Sequence, residues 1–301
     1  MGALDDRVAV ITGAGRGLGR EHALLFAAEG AKVVVNDLGG GPDGSGSDAT
    51  AAQQVVDEIR AAGGQAVASA DDITGADGAQ RLVQQAIDEF GALHVLVNNA
   101  GILRDRTIVN MTEREWDDVI RVHLRGHFLP TQAAARYWRE QSKAGHSLQP
   151  SLINTTSTSG LFSNPGQANY GAAKTGIATL TIIAQRELDR YGVKANAIAP
   201  AARTRLTLAT PGIPEAILHA PDEGFDPMDP ANVSPFVAYL ATADCPIKGR
   251  IFFVADGGIH LFQPFAIIDG ITREGRWTVA ELAIEAARLA HVPFSLGRPR
   301  L

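Results

Sequence analysis

Ser157, Tyr170 and Lys174 are spaced for proton chemistry: a hydroxyl thirteen residues before a phenol, and an ammonium four residues after it, in the run Asn169-Tyr170-Gly171-Ala172-Ala173-Lys174. On a helix, positions i and i+4 share a face, so the phenol and the ammonium point the same way. A phenol is a poor base near neutral pH, because its reference pKa is about 10. A neighbouring cation favours the phenolate and lowers that value. Bringing it to about 7 takes roughly 4 kcal/mol, at about 1.36 per unit. One close lysine plus a positively charged cofactor could supply that. A serine hydroxyl beside them could hold a substrate oxygen. Such a set would move a proton on and off an alcohol.

Short β-branched runs alternate with Ala-rich helical stretches, which predicts a parallel sheet covered on both faces. Strands are expected over residues 7–12, 31–36, 65–69, 94–97, 151–156, 193–199 and 251–255. Helices are expected over 17–28, 48–62, 78–90, 112–143 (broken near Gly126 and Pro130) and 168–191. The fold class is thus α/β, a single doubly wound sheet of Rossmann type with a C-terminal extension. Residues 1–258 would form the catalytic domain and 259–301 the extension, packed on the same domain or on a partner subunit. Gly39 to Ser47 reads as a flexible loop. The Pro- and Gly-rich stretch at about 204–230 is too long for a plain connection and reads as a lid. Thr278-Val279-Ala280-Glu281 is a capping-box sequence opening a helix to about Ala290.

Thr12-Gly13-Ala14-Gly15-Arg16-Gly17-Leu18-Gly19 stands where the first strand turns into the first helix. Glycines there let the backbone approach a pyrophosphate, and the helix N-terminus offers N–H groups and positive potential. Asp37 ends the second strand, eighteen residues after Gly19. A carboxylate there can accept from adenosine ribose hydroxyls and repel a 2′-phosphate, which favours NAD. Arg16 pulls the other way, since a guanidinium could hold that phosphate. Asp72 and Ile73, after the third strand, could edge the adenine.

These pieces together resemble the short-chain dehydrogenase/reductase family. The matching motifs are Thr12-Gly13-x3-Gly17-x-Gly19, Asn98-Asn99-Ala100-Gly101, Ser157 and Tyr170-x3-Lys174, in the family's order over residues 7 to about 258. Closer still, Asn36-Asp37-Leu38-Gly39-Gly40, Gly101-Ile102-Leu103-Arg104-Asp105-Arg106, Val122-His123-Leu124-Arg125-Gly126 and Gly166-Gln167-Ala168-Asn169-Tyr170 are similar to the (3R)-hydroxyacyl-CoA dehydrogenase part of peroxisomal multifunctional enzyme type 2 and to its stand-alone bacterial relatives. The resemblance implies that Tyr170 is the general acid/base and that Ser157 orients the substrate oxygen. It implies that Lys174 holds the nicotinamide ribose and depresses the tyrosine pKa. Asn99, Ala100 and Gly101 would support the cofactor. His123 stands where many members have asparagine in a proton relay, and the resembling subfamily also carries histidine. Pro200-Ala201-Ala202 replaces the family's usual Pro-Gly, and alanine does not take glycine's φ > 0 freely. The nicotinamide carboxamide is expected near Ile198 and Pro200.

The resemblance points to NAD-dependent oxidation of a (3R)-3-hydroxyacyl-CoA. A 17β-hydroxysteroid dehydrogenase using the same site and an NADPH-dependent 3-oxoacyl-carrier-protein reductase stand as alternatives, with a non-catalytic cofactor-binding protein as the out-of-class one. Arg104, Arg106, Arg203 and Arg205 flank the predicted cleft mouth and could bind the phosphates of coenzyme A. The lid and the tail helix could form the acyl or steroid groove. Family members are commonly dimers or tetramers, which implies a homo-oligomer.

Composition bounds the rest. The chain has 301 residues, 45% of them hydrophobic, enough for one sizeable α/β core. The formal net charge of −6 and the lack of a basic run argue against nucleic acid. Cys245 is the only cysteine, so no intrachain disulfide is possible and a reducing compartment fits. No stretch reaches the ~18 apolar residues of a membrane span. The start lacks a signal-peptide layout, and the end, Pro299-Arg300-Leu301, is not a Ser-Lys-Leu tag. A cytoplasmic protein without a metal site is expected.

Overall fold

The computed structural model describes residues 2–48, 50–210, 215–263 and 265–292. Parts of the predicted lid (211–214) and of the predicted extension (264 and 293–301) lie outside the described residues. In chain order the first half comprises β1 (Val8–Thr12), α1 (Gly17–Ala28), β2 (Lys32–Asn36), α2 (Thr50–Ala61), β3 (Gln65–Ser69), α3 (Ala76–Phe90) and β4 (Val95–Asn98). Next come α4 (Glu113–Ile120), α5 (Gly126–Lys143), β5 (Ser151–Thr155), α6 (Thr158–Phe162), α7 (Ala168–Leu188) and β6 (Lys194–Pro200). Short α8 (Arg205–Leu208) and α9 (Glu215–Leu218), then α10 (Ser234–Ala241), β7 (Ile251–Ala255), β8 (Gly258–Phe262) and α11 (Val279–Glu285) complete it.

The eight strands form one sheet in the order β3-β2-β1-β4-β5-β6-β7-β8. The first seven are parallel. β1 and β4 are neighbours, so the strand order reverses between them and opens a crevice at their carboxyl ends. Alternate side chains of each strand enter opposite cores. Val8 and Val10 pack with Leu82, Trp138 and Leu152, while Ala9 and Ile11 pack with Phe26, Val237 and Leu240. Each such fully buried aliphatic side chain contributes about 1.5–3 kcal/mol. Both faces are covered, which is why these strands read as unbroken apolar runs.

Three features depart from the sequence-based expectation. β8 adds an antiparallel edge strand joined to β7 by the two-residue turn Asp256-Gly257, both at positive φ (51° and 69°). The Asp-Gly pair is a strong hairpin signal, and the sequence reading closed the sheet one strand too early. The expected helix over 112–143 breaks at a π-helical turn, Arg121–Arg125, and Pro130 lies inside α5 without ending it. In the tail, α11 has its predicted capping box, with Glu281 N–H donating to Thr278 Oγ1 (3.2 Å) and Thr278 N–H to Glu281 Oε2 (2.8 Å). It gives way to 3₁₀ turns at Ala286–His291, and neither piece has a buried residue.

Candidate active site

The loop between β1 and α1 is tied to the end of β4. Thr12 Oγ1 accepts from the backbone N–H of Asn99 (3.0 Å) and of Ala100 (3.2 Å). The Asn99 amide donates back to the carbonyls of Thr12 and Gly13, each at 3.2 Å. This lacing leaves no room for side chains. Gly13 sits at φ 64°, and a Cβ on it would lie 2.6 Å from Ala100 Cα. A Cβ on Gly19 would lie 2.2 Å from the Gly13 carbonyl oxygen. Arg16 precedes α1 without capping it by its side chain, so the first N–H groups of α1 remain available to an anion. Leu18 and Gly17 line the same cleft. A glycine-walled cradle over an uncapped helix start fits a dinucleotide pyrophosphate.

Asp37 holds the two walls of the adenosine end together. Its Oδ2 accepts from Gly15 N–H (2.8 Å) and its Oδ1 from Gly39 N–H (2.6 Å). Arg16 reaches Asp48 at 3.3 Å. Asp72 Oδ1 accepts from Thr74 N–H at 2.8 Å, and Ile73 is buried against the same cleft. Ala100, Gly101 and Pro200 also line it.

The proton-handling side chains stand at the carboxyl end of β5 and on α7. Ser157 caps α6, its Oγ accepting from Ser159 N–H at 3.1 Å. α7 is anchored at its start by Asn169, whose amide donates to the carbonyls of Arg104 and Glu115, both at 3.0 Å. One turn on, Lys174 Nζ donates to the Thr155 carbonyl (2.7 Å) and lies 5.5 Å from the centre of the Tyr170 ring. Burial drives the Lys174 ammonium down to about 7. Burial pushes the Tyr170 phenol up to about 12; a hydrogen bond from Ser157 opposes this and the charge of Asp105 adds to it. Burial therefore keeps the phenol of the free protein protonated near neutral pH.

His123 lies on the π turn, fully buried, its ring edge-on to Tyr170 with centroids 5.0 Å apart. Its Nε2 is 2.8 Å from the Ile102 carbonyl oxygen and 3.0 Å from the Ile102 nitrogen. Burial, then the Lys174 charge, holds it well below the usual histidine range, so the ring is neutral. A Cβ on Gly101 would sit 2.3 Å from its Cε1, so a glycine there is what lets the ring approach. The residue at 201 needs no left-handed backbone: Ala201 is not at positive φ, and its N–H donates to the Val254 carbonyl at 3.0 Å, extending the β6–β7 ladder. The Pro-Ala-Ala departure therefore costs nothing here.

The mouth arginines are mostly engaged elsewhere. Arg104 faces Asp118 (3.6 Å) and Asp43 (4.0 Å), and Arg106 pairs with Glu115 (3.2 Å). Arg203 grips Asp226 through two nitrogens (2.6 and 3.0 Å) and donates to the carbonyls of Ile217 and His219. It pins Ile217, His219 and Asp226 rather than offering itself to a substrate phosphate. Sequence reasoning also missed His127, a second fully buried histidine near Lys174, and the carbonyl of Thr155 that holds the lysine. Neither carries a local signal. Among the described residues there is no group of three metal-ligating side chains, and no helix is long and apolar enough to cross a membrane.

Comparison with known proteins gives the same picture. The family model for short chain dehydrogenase matches residues 7–208. A hydroxyacyl-CoA dehydrogenase, ChsB1, of Mycobacterium tuberculosis is 46% identical over 271 residues, covering 87% of this chain and 81% of that protein. Peroxisomal multifunctional enzyme type 2 of Drosophila melanogaster is 47% identical over 253 residues, 84% of this chain but 39% of that longer protein. The crystal structure of a short chain dehydrogenase from Mycobacterium avium superposes with a TM-score of 0.85 at 48% identity, covering 100% of this chain and 98% of that one.

Proposed function

The chain belongs to the short-chain dehydrogenase family, and from that premise we propose that it oxidises a (3R)-3-hydroxyacyl-CoA to the 3-oxoacyl-CoA with NAD. The observation that carries this reading is the convergence of Ser157, Tyr170 and Lys174 in the cleft that also holds the Gly13–Gly19 cradle. The names of the hydroxyacyl-CoA dehydrogenase and multifunctional-enzyme relatives support the substrate class. Asp37 supports NAD.

In the proposed reaction the carbinol loses its O–H proton and its C–H hydride. Tyr170 takes the proton at its phenolate oxygen, and Ser157 holds the substrate oxygen in reach. The bound nicotinamide supplies the hydride acceptor and, when oxidised, a positive charge. That charge matters, because lowering the phenol from about 12 to about 7 takes roughly 7 kcal/mol, at about 1.36 per unit. Lys174, held by Thr155, stands ready to hold the ribose. His123 stays neutral and fixes the tyrosine ring from its edge. Residues 1–258 would form the catalytic domain with its lid, 259–301 an extension, and the working form a cytoplasmic homo-oligomer.

The test is NAD⁺ reduction with a medium-chain (3R)-hydroxyacyl-CoA, its 3S isomer and a 17β-hydroxysteroid, each repeated with NADP⁺. The 3R thioester with NAD⁺ should turn over fastest. Turnover of the steroid alone would keep the chemistry and replace the substrate. Tyr170→Phe should lose at least about 10²-fold in turnover while still binding NADH; unchanged turnover would remove the assigned role.

A further inference from the structure

Of the four arginines at the cleft mouth, Arg205 alone has no ion-pair partner among the described residues. It opens α8, directly after the pinned Arg203 and after Thr204, whose Oγ1 accepts from Thr207 N–H at 3.2 Å. The root of the lid is therefore fixed where Arg205 leaves it. That root lies against the glycine loop: a Cβ on Gly17 would meet the Thr204 methyl at 3.5 Å. Arg205 lines the same cleft as Gly13, Gly17, Arg16 and Asp37.

Two guanidiniums, Arg16 and Arg205, thus face one end of the cleft and oppose each other's charge, while Asp37 attracts Arg205. Asp37 is a single carboxylate beside two guanidiniums, and it also accepts from the Gly15 and Gly39 N–H groups. Arg16 is turned towards Asp48 in a half-exposed pair. Arg205 thus carries an exposed guanidinium, without an ion pair among the described residues, into the cleft that holds the glycine loop. Guanidinium groups bind phosphate oxygens in a fork geometry, so beside a pyrophosphate cradle the ligand that suits it is a phosphate.

We infer that Arg205 is a phosphate-binding residue of the dinucleotide site, carried on the lid, so that cofactor phosphate and lid position are coupled. This rests on the dinucleotide reading above and deepens it. The phosphate belongs either to the pyrophosphate bridge or to a 2′-phosphate on the adenosine ribose.

The experiment measures binding of ADP, adenosine 2′-monophosphate and adenosine to the full chain by calorimetry, comparing wild type with Arg205→Gln. Arg205 is exposed, so this change should not disturb folding. ADP affinity should fall about tenfold or more while adenosine is unaffected, which assigns the pyrophosphate. A loss confined to the 2′-monophosphate assigns the ribose phosphate and also supports the inference. Hydrogen exchange of wild-type residues 205–208 gives a second reading. Slower exchange with ADP than with adenosine is expected, and equal exchange argues against coupling to the lid. Unchanged affinity for both phosphates in the variant overturns the inference and leaves the dinucleotide reading intact. Failure of wild type to bind any of the three overturns both. A raised KM for acyl-CoA with unchanged affinity for both ADP and the 2′-monophosphate would return Arg205 to the substrate rim and overturn it too.

Discussion

Lys174 shows how one buried charge ties chemistry to stability. Its ammonium is almost fully enclosed and donates to Thr155, and burial takes it from its ordinary 10.5 down to about 7. The unfolded chain therefore binds more protons between those values, so stability rises with pH across that window. The contribution is complete above about 10.5 and is lost as pH falls through about 7. Tyr170, raised to about 12, adds the opposite slope only above about pH 10. Lys174→Met should flatten the rise. Urea midpoints at about pH 7.5 and about pH 9.5 test it, and an undiminished slope in the variant would assign the effect to another group. The i, i+4 spacing of Tyr170 and Lys174 was legible in sequence because a helix puts it on one face. That burial raises the phenol was not, because desolvation is set by residues far away in the chain.

Among the elements, the segment proposed as a lid and the π turn matter most to the site. The lid hangs on Arg203, whose guanidinium takes both Asp226 oxygens and two lid carbonyls, while its N–H donates to Met228 O at 2.6 Å. A bidentate fork of this kind fixes orientation as well as attraction. Arg203→Ala should therefore free the described residues of this segment. Limited proteolysis should cut within the described residues of 205–229 several-fold faster, and KM for the thioester should rise, with NADH affinity falling too because Arg205 rides on the same segment. Unaltered proteolysis would show that the lid is held by other contacts. Sequence composition marked this stretch as a lid, but nothing local distinguishes an arginine that pins from one that binds substrate. The π turn was visible only as a break in a long helix, placed at Gly126 and Pro130. Its structural centre is His123, and π turns in helices often mark functional positions.

At the scale of the whole molecule, apolar surface remains uncovered on a single chain. Leu124, Phe128 and Ile183 line a groove beside α7, with Phe128 43% and Ile183 45% exposed. In the tail Phe265, Ile267 and Val279 are each at least 85% exposed. Monomeric proteins rarely leave large contiguous apolar patches in water. Sedimentation equilibrium should find a dimer or tetramer, and Phe128→Glu should shift it towards smaller species. A monomer at every accessible concentration would remove the homo-oligomer from the proposal.

The sequence by itself determined the layered α/β architecture, the glycine loop and the Ser157, Tyr170 and Lys174 set. Each is written in short-range pattern: unbroken β-branched apolar runs for strands, i, i+4 for the helix face, glycine where backbone must approach backbone. The Asp256-Gly257 hairpin was written there too, and shows that a local signal still has to be read. Only the tertiary structure decided which carboxylate each arginine meets, that His123 and Lys174 are desolvated, and that Ala201 sits in a strand ladder instead of a left-handed turn. Charge pairing and burial depend on which distant segments the fold brings together, and no spacing along the chain encodes that choice.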